Sequence, residues 1–413
     1  MHEPLRVVTI QEARSKLEEH WQPQRRVKLF PLDEAGGMVL AEEVSSEIDL
    51  PPFDRSDYDG FAVRAADTFG AGEDDPVELF KVGEVLAGQD PEVELERGQC
   101  ATIATGAQVP NGADAVVMVE DTTSIGERVE VRRSVTPGEN VSERGSEIEQ
   151  GAKIVSAGRR LSPQVHGTLF ACGVRDVKIF CKPKVAVIST GQELIEAGSK
   201  LGPGQIYDVN GPAICDAVNN CGAEPSYLGI VQDSFSEIEE RVREALSDHD
   251  LTIISGGSSA GAKDIVPETV NGLGDPGVLV HGLAQKPGKP TFLAVIDGNP
   301  IFGLPGYPVS ALMVFDQLVA PYLRFLSAAP EVGRKRIRAR LAKKVLSARG
   351  RRELVPVSLD EGDCLLAHPL RKGSGAITSL ANADGYIAIS VDQEIVEEGA
   401  EVTVNMFGGS ELA

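Results

Sequence analysis

From Lys182 to Ala329 the sequence alternates between short apolar runs and segments with helical spacing, and this alternation constrains the fold more than any other feature. Val185–Ser189 reads as a continuous apolar run, as a strand buried on both faces should. Ile214–Val218 falls in a helix, Tyr227–Val231 in the next strand, and Leu251–Ile254 in a third. Between them Ser234-Phe235-Ser236-Glu237 caps a helix whose Phe235, Ile238, Val242 and Leu246 recur at helical spacing. Pro308 suits the first turn of a last helix, with Leu312, Phe315, Val319, Tyr322 and Leu326 on one stripe. Strand–helix alternation of this kind predicts a doubly wound parallel sheet with helices on both faces.

The chain has 413 residues, and single cores rarely grow beyond roughly 250, so further domains are expected. Thr9-Ile10-Gln11-Glu12 is a capping-box pattern that opens a helix to about residue 20. From about 45 to 180, short β-rich runs such as Ala115–Val119 and Val129–Val131 are cut by Gly and Pro, predicting mostly β structure in at least two pieces. After Ala329-Pro330, Arg336–Leu341 alternates with period two, and further short strands are expected near 353–358, 385–391 and 401–406. The overall class is therefore multidomain α/β plus β.

Charge narrows the partners. Forty Lys and Arg against 62 Asp and Glu leave a net charge of -22, which repels nucleic acid and anionic membranes. No apolar run reaches the roughly 18 residues a membrane span needs, and the first residues lack the form of a signal peptide. The six cysteines are scattered without a CxxC, the pattern of reduced thiols in a cytoplasmic protein.

Four motifs fall on strand-end loops of the predicted sheet, where such folds bind ligands. SGGSSAGAKD (255–264) follows a buried strand; Gly256 and Gly257 allow close backbone approach to an anion, and Asp264 offers a carboxylate. STGQEL (189–194) places Glu193 on the same rim, and two carboxylates there suit Mg2+. QKPGKP (285–290) sets Lys286 and Lys289 about a stiff turn, a compact cationic site for an oxyanion. GLPGYPVSA (303–311) leads into the last helix, whose first N–H groups favour anions. Any one of these also reads as an ordinary turn; their convergence on one rim carries the argument. PPFDRSDYDGFAVR (51–64), ATGAQVPNGADAVVMVE (104–120) and ERGSEI (143–148) read by themselves as hydrated, carboxylate-bearing turns. Residues 334–352 hold ten Lys or Arg and no acid; most suit a solvated strand face, while Arg351 and Arg352 in a Gly-flanked turn suit an anion.

Taken in order, these motifs, together with GQIYDVN (204–210), resemble the MoeA/gephyrin E-domain family of molybdopterin molybdenumtransferases from about residue 8 to 410. The resemblance implies an elongated four-domain chain that forms a homodimer with a shared active cleft. It implies a discontinuous domain from 1–50 and 146–181, a β-rich domain at 51–145, the α/β domain at 182–329, and a barrel-like C-terminal domain at 330–413. It also implies the reaction: adenylated molybdopterin, supplied by molybdopterin adenylyltransferase, takes up molybdate or tungstate with Mg2+ and releases AMP. The family's catalytic positions fall here on Asp59, Glu193, Asp264, Lys286 and Lys289. Its ligand positions fall on Thr105, Glu147, Asp233, Ser255, Gly256, Gly257, Pro305, Pro308, Arg351 and Ser374. Glu193, Asp233 and Asp264 are the implied Mg2+ ligands. Glu147 stands where the family commonly has Asp, Tyr307 where it has Asn, Ser258 where it has Val, and Gly282 where a basic residue is frequent. Two other readings follow from the same residues: a CinA-like nucleotide pyrophosphatase, which shares the α/β module, and a non-catalytic scaffold or sensor.

Overall fold

Six strands form the central sheet, in the order Glu224–Val231, Lys184–Thr190, Leu251–Ser255, Asn299–Leu304, Phe292–Ile296, Pro276–His281. The first four are mutually parallel, and only Phe292–Ile296 runs against the rest. The computed structural model describes residues 7–256, 265–329, 336–362, 364–370, 373 and 375–407. Its contacts divide the chain into two units, Met1–Lys28 with Phe180–Ala413, and Leu29–Ile179. The sheet belongs to the first.

Period-two geometry sends alternate side chains of Lys184–Thr190 to opposite faces. Val185 and Val187 enter a core with Ile214 and Val218 of helix Asn210–Asn219, and Ala186 and Ile188 enter a second core with Ile238, Val242 and Ala245 of helix Phe235–Asp248. Helices thus cover both faces, as the alternation predicts. Helix Ile10–His20 adds Ile10, Ala13 and Leu17 to the first core, and its capping box is complete. Such a cap contributes about 1 kcal/mol. The Ser234 cap is half of the expected box: its hydroxyl takes Glu237 N, but the Glu237 carboxylate turns to Gln232 N, and Phe235 is exposed.

Two features depart from the sequence reading. The antiparallel strand arises from a hairpin whose turn is Asp297-Gly298, both at positive φ. Asp-Gly between apolar runs is a strong hairpin signal that the reading passed over. The last helix runs from Pro308 to Leu326 with a π-turn at Phe315–Val319, and it is buried on nearly every side instead of along one stripe. By length and composition it is apolar enough to cross a membrane, yet its apolar window is 72% buried inside the fold.

That burial comes partly from the C-terminal barrel. Strand Arg352–Glu361 pairs with Leu365–Pro369 and with Gly385–Ile389. Arg336–Leu341 pairs with Leu365–Pro369 and Glu401–Met406, and the pairing of Gly385–Ile389 with Glu401–Met406 closes the ring. In Arg336–Leu341 the arginines point out while Ala339 and Leu341 are buried, as the alternation predicts. Val309 and Met313 of the long helix pack against Leu354 and Tyr386 of the barrel.

In the unit Leu29–Ile179 six strands are ordered Ala115–Met118, Gly60–Val63, Gln99–Ile103, Val77–Val85, Arg128–Val131, Thr122–Ile125. A further core joins Leu32 and Leu40 to Leu161, Leu169, Val177 and Ile179. It includes helix Pro163–Ala171, which the β reading missed although Ser162 caps it and Pro163 opens it.

Candidate functional site

Chain order places the strand-order reversal between Lys184–Thr190 and Leu251–Ser255, and open sheets bind ligands in the crevice beyond such a point. Both strands end there in glycine. Gly256 has φ +101, and a Cβ on it would stand 2.2 Å from the Thr190 carbonyl oxygen, so no larger residue fits without moving the strand end. Its N–H donates to Leu304 O at 3.1 Å, so Gly256 supplies room for a ligand and not a donor. Ser255 is likewise inward, its hydroxyl accepting from Asn210 Nδ2 at 2.9 Å.

Beneath this rim lies a buried polar node built on Asp208 and Asn210 of GQIYDVN. Asp208 accepts from Ser189 Oγ at 2.7 Å, Tyr227 OH at 2.6 Å, Asn210 N at 3.0 Å and Gly211 N at 3.1 Å. Burial and the bond to Asp208 push the Tyr227 phenol well above its ordinary value. Asn210 extends the node by donating to both Ser255 Oγ and Gly306 O. Strands Lys184–Thr190, Glu224–Val231 and Leu251–Ser255 and the turn at Gly306 are tied through two side chains. An Asp and an Asn two residues apart, at the start of a helix, were the available signal.

Glu193 and Asp233 share the rim. Glu193 is exposed. Asp233 is half-buried, and burial, then the charge of Glu193, pushes its carboxyl above the usual range. Its Oδ1 is buried without a hydrogen-bond partner. Two carboxylates that repel each other, one with an unsatisfied oxygen, fit a divalent cation. No group of three acidic or other metal-binding side chains occurs among the described residues. Asp264, the third expected ligand, lies outside them, as do Gly257, Ser258 and Ser374.

The cationic motif builds a different wall of the same unit. Gln285–Lys286 adds a short parallel strand to the barrel, Gln285 opposite Arg352 and Lys286 opposite Glu353. Beside this pairing lies an open cavity of about 590 Å3 that includes Lys286, Lys289, Pro305, Tyr307, Arg351 and Glu353 in its lining. Pro308 stands at the first position of the adjoining helix. Tyr307 is its N-cap and makes no side-chain cap bond, so the Asn-to-Tyr departure leaves the helix start without the usual cap acceptor. Gly282 is buried at φ +116, a conformation that disfavours a side chain. Lys286 binds Glu353 at 3.1 Å, and Glu353 escaped the sequence reading because a lone acid in a strand carries no pattern.

The unit Leu29–Ile179 holds the remaining predicted residues. Asp59 precedes Gly60, the start of a strand, and its Oδ1 accepts from Thr105 N at 2.7 Å and Thr105 Oγ1 at 2.9 Å. These bonds, the backbone one foremost, hold its carboxyl below the usual range, so it stands ionised and exposed. Asp59 and Thr105, expected separately as a catalytic and a ligand position, are in direct contact. Glu147 is exposed and paired with Arg55 at 3.7 Å.

Comparison with known proteins extends these findings over the whole chain. Residues 8–173 match the MoeA N-terminal region (domain I and II), 186–325 a probable molybdopterin binding domain, and 338–407 the MoeA C-terminal region (domain IV). The molybdopterin molybdenumtransferase of Bacillus subtilis is 34% identical over 93% of this chain and 91% of its own. That of Staphylococcus epidermidis is 34% identical over 87% of this chain and 86% of its own. A crystal structure of the molybdopterin biosynthesis MoeA protein from Pyrococcus horikoshii aligns with TM-score 0.81 and 42% identity, covering 98% of this chain and all of that one.

Proposed function

Since the chain belongs to the MoeA family, we propose that it is a molybdopterin molybdenumtransferase of molybdenum-cofactor biosynthesis, inserting molybdate or tungstate into adenylated molybdopterin with release of AMP. The observation that carries this reading is the cavity between the KPGKP turn and the barrel, where Lys286, Lys289 and Arg351 meet. Three cations in one concavity of a chain of charge -22 favour a dianion. At the strand-end rim, Gly256 leaves room for a ligand, and Glu193 and Asp233 are the residues that would hold Mg2+, with Asp264 as the expected third. Bound there, Mg2+ would offset charge on the phosphoanhydride as it breaks. The dithiolene sulfurs of the substrate, and no protein side chain, would take the metal. Asp59, kept ionised by Thr105, would be the acidic group that a second subunit contributes.

The reading includes a homodimer in which Asp59 of one subunit serves the rim of the other. It places the protein in the cytoplasm, downstream of a molybdopterin adenylyltransferase. The six free cysteines are consistent with a reducing compartment.

AMP release from adenylated molybdopterin, measured with molybdate, tungstate or neither, and with or without Mg2+, tests it. Release that requires the oxyanion is expected. Release indifferent to it would mark a pyrophosphatase, and none a scaffold or sensor. Mixing Asp59→Asn with Lys286→Met protomers should restore part of the activity each lacks; no restoration would remove the shared cleft.

A further inference from the structure

A lysine that recognises an oxyanion must hold a long, flexible stem in place, and ordering it opposes binding. Lys286 and Lys289 differ in how this is met. Lys289 is exposed and has no ion pair among the described residues. The Lys286 backbone is fixed by pairing with Glu353, and its ammonium lies 3.1 Å from Glu353 Oε1. The Glu353 side chain is 7% exposed while that of Lys286 is 53% exposed, so the acid anchors the pair from inside. One ammonium donor is thereby occupied, leaving two for an anion. The strand that carries Glu353 is itself braced: Arg352 Nη1 reaches Gln317 Oε1 at 3.4 Å, and Gln317 Nε2 donates to Tyr386 OH at 2.6 Å. Gln317 lies in the π-turn of the long helix and is itself buried.

We propose that Glu353 is the positioning residue of the oxyanion cavity, holding Lys286 ready for molybdate; the assignment rests on the reading of that cavity given above. A residue that merely offset the lysine's charge would act in the opposite sense, because its removal would strengthen anion binding.

The full-length enzyme with Glu353→Gln, Lys286→Met and both substitutions separates these. In AMP release titrated with molybdate, Glu353→Gln should raise the molybdate KM about tenfold while kcat changes by about twofold or less. In the Lys286→Met background, read as direct molybdate binding by equilibrium dialysis, it should add less than about twofold, since the two act as one unit. Glu353→Asp, one methylene shorter and still acidic, should also raise KM, which separates misplacement from any folding defect of the Gln variant. An unchanged or lowered KM in Glu353→Gln, or an equal penalty with and without Lys286, overturns the assignment. Wild-type release that ignores molybdate removes the cavity's reading, and Glu353 with it; dependence in the wild type with an unmoved KM in the variants removes Glu353 alone.

Discussion

Asp59 and Asp233 are both partly exposed carboxylates in candidate-site loops, yet their surroundings set them opposite tasks. Asp59 receives two hydrogen bonds from Thr105 and is held ionised. Asp233 has a buried oxygen with no partner, faces the charge of Glu193, and is pushed toward its neutral form. The first takes both bonds on one oxygen, Oδ1, which fixes its orientation and its charge. The second is an unfinished site that a cation would complete. A third acid, Asp208, shows what completion by the protein looks like: it is buried and takes four donors. The lesson is that the donors around a carboxylate, and not its exposure alone, set its state: four donors use up Asp208, two on one oxygen keep Asp59 ionised, and none on Oδ1 leaves Asp233 to a cation.

The contrast can be broken by experiment. Asp208→Ala should cost the most stability, about 3 kcal/mol or more in urea unfolding, because four donors lose their acceptor at once. A loss under about 1 kcal/mol would mean that the node is not structural. Asp59→Asn should lower AMP release about 100-fold or more while the melting temperature stays near wild type; wild-type turnover would remove its role. Asp233→Asn should raise the Mg2+ concentration for half-maximal activity about tenfold. Without Mg2+ it should melt no lower than wild type, since the substitution relieves burial and repulsion; a marked drop would make Asp233 structural. Thr105→Val should have the smallest effect, about three- to tenfold in rate, because the backbone bond remains. Thr105 lowers the Asp59 pKa, so losing its hydroxyl raises that value, and the acid limb of activity should move to higher pH. A limb that stays in place would detach Asp59 from it.

Legibility in the sequence followed the range of the physics. Continuous apolar runs marked Lys184–Thr190 and Leu251–Ser255 because strands buried on both faces must be apolar throughout. The Thr9 capping box was legible because its partners are three residues apart. The hairpin at Asp297-Gly298 and the helix after Ser162 carried local signals that were passed over. Glu353 and the π-turn that contains Gln317 carried none. At the candidate site, the motif order pointed to Asp59, Thr105, Glu193 and the two lysines as candidates, whereas Asp208 and Asn210 emerged only once their donors and acceptors were in place.

The amino-acid order by itself determined the kinds of elements, their succession, and the places where carboxylates and ammonium groups would gather, because periodicity and turn chemistry act over a few residues. Tertiary structure alone decided that the barrel closes, that Lys286 meets Glu353, and that Asp233 is left short of a partner while Asp208 is not. Those outcomes depend on register between strands far apart in the chain, and a polar group's state is set by whichever donors that register delivers.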